Sequence, residues 1–278
     1  MRKSKAGQLF LWVFLIGGTA VFIFPFLFMI SNSFEDFTYV LPDPPRLLPE
    51  QFVLSNYISI LQKQHIEIYF LNSIIITLAT TVIGIAISTL SAYGFAKIKF
   101  YGRETIFKIY LFTLMIPGVL NIIPQFGLIN NMGLIGHRAG LILLYVGTGI
   151  CGNTFFLRTF FQTLPDEIGE SVVIDGGSHF TIYSKIVLPL SKAGISTLSI
   201  LTTQGTWDDF FTAKVILGAN NNVLTLPVMI QRLYGQFATR WGLIFAAALL
   251  MLVPIITLYI VFQKYFVVGG VTEGGIKM

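Results

Sequence analysis

The chain has 278 residues, of which 54% are hydrophobic and 11% charged, against roughly a quarter charged in a soluble domain. With a mean hydropathy of +0.77, it could not cover a soluble surface, so a soluble protein is excluded. The net charge of +5 comes from Lys and Arg scattered through short loops, with no basic helix for nucleic acid, and reads as membrane topology instead.

Arg2, Lys3 and Lys5 precede an apolar run from Leu9 to Ile30. About 20 apolar residues span a bilayer, and no small-residue cleavage site closes the run, so it reads as an uncleaved first span. Residues 31–68 carry Glu35, Asp36, Asp43, Glu50 and Glu67 with Pro42, Pro44, Pro45 and Pro49, which predicts an extended, solvent-facing loop.

A second span is expected from Tyr69 to Phe95. Its Ser73, Thr77, Thr81, Gly84, Ser88 and Ser91 fall three or four apart, a small polar face that packs against another helix. Lys97, Lys99, Arg103 and Lys108 make a basic turn. A third span, about 106–128, holds Pro117 and Pro124 with the polar Asn121 and Gln125; a fourth covers about 139–157. The lone Cys151 lies in that apolar segment and cannot form an internal disulfide.

Residues 158–189 form a polar island between spans. Thr163-Leu-Pro-Asp166 reads as a helix start signal, and Asp166, Glu167 and Glu170 complement the positive helix end. A short helix over 166–175 is broken at Gly176-Gly177; a second, 178–188, puts Phe180, Tyr183 and Val187 on one face; Pro189 marks the turn into the membrane. This arrangement exposes Val173, Ile174 and the glycine elbow, a docking surface rather than an ordinary hairpin.

The fifth span, about 191–212, carries Ser196, Ser199, Thr203 and Thr206 on one helix face, flanked by Gln204 and Trp207. That stripe reads equally as interhelical hydrogen bonding or as a polar solute pathway with Trp207 as a stacking surface. Asp208 and Asp209 close the span and could cap, pair or gate. A loop rich in Asn follows, then a sixth span from Trp241 to Phe262 and a flexible glycine-rich tail from Val268. The concentration of Lys and Arg before the first span and after the second places both termini, and the island, in the cytoplasm. The fold class is thus all-α integral membrane, with six transmembrane helices. The chain divides into 1–68 (first span and Pro-rich loop), 69–262 (transmembrane core) and 263–278 (tail).

Catalytic signatures are missing from the sequence. There is no phosphate-cradling G-x-x-x-x-G-K-[ST] and no G-x-S-x-G, and His65, His137 and His179 lie in three separate loops. A transport subunit fits better than an enzyme. A secondary transporter would place ionisable groups in mid-span, and none is seen.

The island, E-S-V-V-I-D-G-G over 170–177 followed by I-V-L-P-L over 186–190, resembles the E-A-A-x-x-D-G motif of ABC-transporter permeases. Phe24-Pro-Phe26, Asn72-Ser73, Ser91-Ala-Tyr-Gly-Phe95, Met115-Ile-Pro117, Trp207-Asp-Asp-Phe210 and Gly274-Gly-Ile-Lys277 are similar, in order, to segments of the smaller permease of maltose and multiple-sugar importers. Ser171 and Val172 stand where that family has alanines, Gly177 replaces a third, and Asp208 stands in place of an Asn. The resemblance implies a type I ABC importer permease fold in a bacterial or archaeal plasma membrane. It also implies a second permease, a dimeric cytoplasmic ATPase that holds ATP and Mg, and an external sugar-binding protein, with no cofactor in this chain. Glu170, Ser171, Val173, Ile174, Asp175, Gly176, Gly177 and Pro189 would form the ATPase-coupling element, in which Asp175 could cap the turn. Asn121, Gln125, Ser199, Thr203, Gln204, Trp207 and Asp208 would line the substrate pathway. The loop after the fifth span, about 213–238, would touch the binding protein, and the tail would reach the ATPases. A non-sugar solute such as glycerol phosphate is the alternative cargo.

Overall fold

The apolar runs fold as helices because a spanning segment must satisfy every backbone amide and carbonyl internally. The computed structural model describes residues 5–35, 48–218, 220–234 and 239–272. They form helices α1 (Lys5–Ser33), α2 (Ser55–Gln62), α3 (Ile66–Lys97), α4 (Arg103–Leu114), α5 (Ile122–Asn131), α6 (Arg138–Gln162), α7 (Glu167–Ile174), α8 (His179–Ile182), α9 (Leu188–Leu190), α10 (Lys192–Asp208), α11 (Phe211–Leu217), α12 (Leu226–Arg232) and α13 (Trp241–Thr272). Among the described residues four helices are long and apolar enough to cross a membrane alone, α1, α3, α6 and α13, and two bent pairs raise the number to as many as six.

One bent pair breaks the third expected span from within, and the other falls at the expected entry to the fifth. The third is α4 and the segment Gly118–Asn131 set at 93°, because Pro117 adopts an extended backbone (ψ 125°) and a 3-10 turn, Gly118–Asn121, restarts the helix. The fifth is His179–Leu190 and Lys192–Asp208 at 76°, with Pro189 inside α9 and the break displaced to Ser191. The fifth span therefore ends at Asp208, and α11 is a separate short helix.

One compact unit comprises Met1–Glu67 with Met229–Pro254. The stretch expected to be an extended solvent-facing loop contains α2 and a buried polar knot instead. Asn32, Ser33, Glu35 and Asn56 are all buried, and the Asn56 side-chain amide donates to the carbonyls of Ser33 (3.0 Å) and Glu35 (2.8 Å). Prolines 42, 44 and 45 and the acids Asp36 and Asp43 lie outside the described residues. A Cβ on Gly242 would fall 2.5 Å from both the Asn56 Nδ2 and the Glu35 carbonyl oxygen, so α13 starts where only a glycine fits. Gly242→Ala is expected to cost about 1–3 kcal/mol by overpacking, seen as a lowered Tm of the purified chain in detergent.

The second unit comprises Ile68–Val228 with Ile255–Met278. The small polar face of α3 is buried as its spacing predicts, while Leu71, Ile75, Leu78, Val82 and Leu90 point outward. Helix α6 packs against α4, α10, α11 and α5. One apolar cluster gathers Ile76, Ile129, Leu141, Ile216 and Leu224; the other gathers Ile85, Tyr93, Leu157, Phe161, Tyr183 and Leu198. The segment after α10 is ordered by long-range bonds: Asn72 Nδ2 donates to the Asn222 and Leu224 carbonyls (3.0 and 2.9 Å), and the Leu226 amide donates to Ser73 Oγ (2.8 Å). Helix α13 continues through Val268 to Thr272, where a flexible tail is expected, and Gly274 and Gly275 lie outside the described residues.

Candidate functional site

The polar island folds as two helices joined by a glycine turn, with differences in how they start. Asp166 is the residue before α7, yet the Thr163 hydroxyl turns back to the Phe160 carbonyl (2.7 Å) as the end of α6. The expected capping motif is absent because Asp166 is engaged elsewhere. Lys97 Nζ donates to Asp166 Oδ1 and to the Leu164 carbonyl, both at 2.6 Å, tying the end of α3 to the entry of α7. The Lys97 hydrogen bond and then its charge hold the Asp166 carboxyl below the usual carboxylate range. A lowered carboxyl stabilises the fold above its ordinary range, and the benefit fades as pH falls through the lowered value. Because the carboxylate is largely exposed, that benefit is small.

At the other end of α7 the backbone, not the Asp175 carboxylate, closes the turn. Gly176 has φ +81°. Its amide donates to the Val173 carbonyl (3.0 Å), and the Gly177 amide donates to the Val172 carbonyl (2.8 Å). This pair of bonds is a Schellman ending, which needs a left-handed residue where Gly176 stands. A Cβ on Gly177 would lie 2.9 Å from the Val172 carbonyl oxygen and closer still to its side chain. Both glycines are therefore required, for different reasons.

The elbow presents Ile174, 85% exposed, with Val173 beside it, as the sequence predicts. Glu170, Ser171, Asp175 and Pro189 are also exposed. The second arm starts with Ser178, whose hydroxyl accepts from the Thr181 amide (3.3 Å). It runs as α8, a π turn over Tyr183–Val187 and α9. Its buried face is Ile182, Tyr183 and Val187, whereas Phe180, expected to share it, is 70% exposed. The wider π turn shifts the register between these residues. Tyr183 Oη and Thr89 Oγ1 hydrogen bond at 2.9 Å, and Tyr93 Oη meets His179 Nδ1 at 3.3 Å, so this arm is fastened to α3. Behind the elbow lies a cleft of about 370 Å³ lined by Tyr93, Lys97, Asp166, Val173, His179 and Leu190.

A second feature sits at the same end of the unit. Arg158, only 7% exposed, donates Nε to the Phe95 carbonyl (3.2 Å) and Nη2 to Glu104 Oε1 (2.7 Å). Its guanidinium lies 3.8 Å over the Phe107 ring. One side chain on α6 thereby holds α3 and α4, a node that spacing alone does not reveal.

The pathway candidates are not brought together. Asn121 closes the 3-10 turn and Gln125 lies on α5, both half-buried. Ser199 Oγ donates to the Ile195 carbonyl (2.8 Å), and Thr203 Oγ1 meets Thr81 Oγ1 on α3 (3.1 Å), so Thr203 serves helix association. Trp207 is 3% exposed, its ring edge-on to Phe70 at 5.7 Å, which leaves no face for stacking a solute. Gln204 and Asp208 are exposed. The neighbouring acid, Asp209, is the built one: Oδ2 accepts from the Tyr145 hydroxyl and Oδ1 from the Thr212 amide (3.4 Å).

Known proteins resemble this chain in sequence and in fold. The family model described as "Binding-protein-dependent transport system inner membrane component" matches residues 84–268. The "Inner membrane ABC transporter permease protein YcjP" of Escherichia coli is 30% identical, over 94% of this chain and 94% of its own. The "Diacetylchitobiose uptake system permease protein NgcG" of Streptomyces coelicolor is 30% identical over 94% of this chain and 86% of its own. In fold, a chain of a bacterial ABC transporter involved in the import of the acidic polysaccharide alginate superposes with a TM-score of 0.82 at 21% identity, covering 96% of this chain and 99% of that one. The chain is therefore a multi-pass inner-membrane protein and belongs to the permease subunits of binding-protein-dependent ABC importers.

Proposed function

We propose that this permease belongs to an ATP-driven sugar importer. It forms half of the translocation pathway and couples to a cytoplasmic ATPase through residues 166–188. The exposed Ile174 at a glycine-locked turn carries the reading, because an apolar side chain held at the tip of a polar loop is a docking knob. Glu170, Ser171, Val173, Asp175, Gly176 and Gly177 frame that knob, and Pro189 lies on the arm behind it. Both termini and the loop face the cytoplasm, as the Lys and Arg bias favours. The working complex adds a second permease, a pair of ATPases that bind ATP and Mg, and an external sugar-binding protein reached through the 213–238 segment.

The sugar rests on the diacetylchitobiose named for a relative and on the polar face of α10, where Gln204 and Asp208 are exposed. Glycerol phosphate is the second reading of the cargo. Coupling is a two-state equilibrium biased by nucleotide at one end and the loaded binding protein at the other.

Purifying the tagged chain with its ATPase tests the coupling. Gly176→Asp and Asp175→Lys are each expected to release the ATPase and stop uptake while insertion into the membrane stays normal. Normal ATP-coupled uptake in both variants would refute the assignment.

A further inference from the structure

Between α3, α6 and the end of α10 lies a cleft of about 320 Å³, at the lower end of the roughly 300–1,000 Å³ of small-molecule sites. Its walls are Thr80, Tyr145, Asn153, Thr202, Thr206 and Asp209, with Gly149 and Gly205 opening the space. None of the seven pathway candidates named from the sequence lines it. The walls come from α3, α6, the last turn of α10 and the start of α11, and polar groups on membrane helices are costly against lipid, so they suit a water-filled path or bound solute.

Two observations mark it as a binding site rather than a seam between helices. Thr80 is 2% exposed, yet its hydroxyl has no hydrogen-bond partner. A buried, unpartnered hydroxyl at the wall of a cleft is destabilising unless a water or a solute completes it. The Asp209 carboxylate, meanwhile, is held from two sides by Tyr145 and the Thr212 amide, which fixes its orientation and leaves lone pairs to spare.

We propose that this cleft is a subsite for the hydroxyl groups of an uncharged sugar. The proposal rests on the sugar-import reading and refines it. The lining carries hydroxyl, amide and carboxylate groups but no Lys, Arg or His. Neutral donors and acceptors around one carboxylate suit a diol, which can give two hydrogen bonds to Asp209 and exchange one with Thr80. An anionic solute, whether a uronate or a phosphate ester, would meet the Asp209 charge with no cation to offset it.

The test uses the assembled transporter in proteoliposomes with its binding protein. Uptake and ATPase stimulation are measured with diacetylchitobiose, maltotriose and trigalacturonate. At least one neutral sugar is expected to be transported, and trigalacturonate is not. With the transported sugar, Thr80→Val is expected to raise KM about fivefold to tenfold with the maximal rate little changed and the Tm not lowered. Asn153→Ala gives the same readout should Thr80→Val fail to assemble. Gly205→Val, where a Cβ meets nothing within 4 Å, is expected to fold and to block uptake by filling the cleft. Thr159→Val, on an exposed part of α6, leaves KM unaltered. Transport of trigalacturonate alone, or unaltered KM in both Thr80→Val and Asn153→Ala, overturns the subsite while sugar import stands. Uptake of none of the three overturns the sugar reading and the subsite with it.

Discussion

Gly177→Val should uncouple the permease from its ATPase. The new branched side chain would press on the Val172 carbonyl, which already accepts the Gly177 amide at 2.8 Å. Relief requires opening that bond, at about 1–3 kcal/mol for an overpacked site, and the cheapest escape is to unwind the last turn of α7. Ile174 would then lose its fixed position. On the coupling proposed above, the ATPase recovered with the tagged permease is expected to fall about tenfold or more, with solute uptake falling in parallel. Gly176→Ala should be milder. Its cost is the left-handed conformation, about 1–2 kcal/mol, and the space around Gly176 is open. A complex in which Gly177→Val binds ATPase as well as the parent would remove the turn from the coupling mechanism.

The second large effect is on stability. Arg158→Ala removes the donor to the Phe95 carbonyl and the cation over Phe107. The hydrogen bond and the ring contact together are worth about 2–4 kcal/mol when desolvated, while the half-exposed Glu104 side chain adds little beyond solvent screening. The Tm in detergent should drop by roughly 5–10 °C. Arg158→Lys is expected to recover only part of it, since one ammonium cannot reach the Phe95 carbonyl and Glu104 while lying flat on Phe107. A Tm equal to the parent's in Arg158→Ala would show that α3 and α4 are held by packing alone.

Periodicity read well wherever a local rule decides the outcome. The small face of α3 follows from residues three and four apart, and the elbow from two adjacent glycines after a short helix. Where a partner far along the chain decides, the reading went astray. Thr163 and Asp166 have the spacing of a helix cap, but Lys97 claims the acid and the cap is never made. Trp207 has the composition of a stacking platform, and only the approach of Phe70 shows it to be core. Of two adjacent acids, sequence favoured Asp208 as the unusual one, while Tyr145 and the start of α11 select Asp209. Residues 31–35 read as the beginning of a solvated loop because nothing local announces that Asn56 and Gly242 close over them. The third span, expected over about 106–128 with Pro117 and Pro124 inside it, runs from Arg103 to Asn131 with a 93° break: Pro117 signals the break, but its angle depends on what the freed groups find nearby.

The 76° bend at Ser191 has a mechanical reading. It joins the arm that carries the elbow to the helix that walls the polar cleft, and beside it a Cβ on Gly194 would fall 2.8 Å from the Phe160 ring. Two rods meeting at such an angle about a tight contact would act as a bell crank if either were pushed, with Phe160 as the pivot. A push on one rod emerges as a sideways swing of the other, and the ratio of travel is set by their lengths. If the elbow docks the ATPase and the cleft takes solute as proposed, enlarging the residue at the pivot should alter the solute carried per ATP hydrolysed even where docking and solute affinity are untouched.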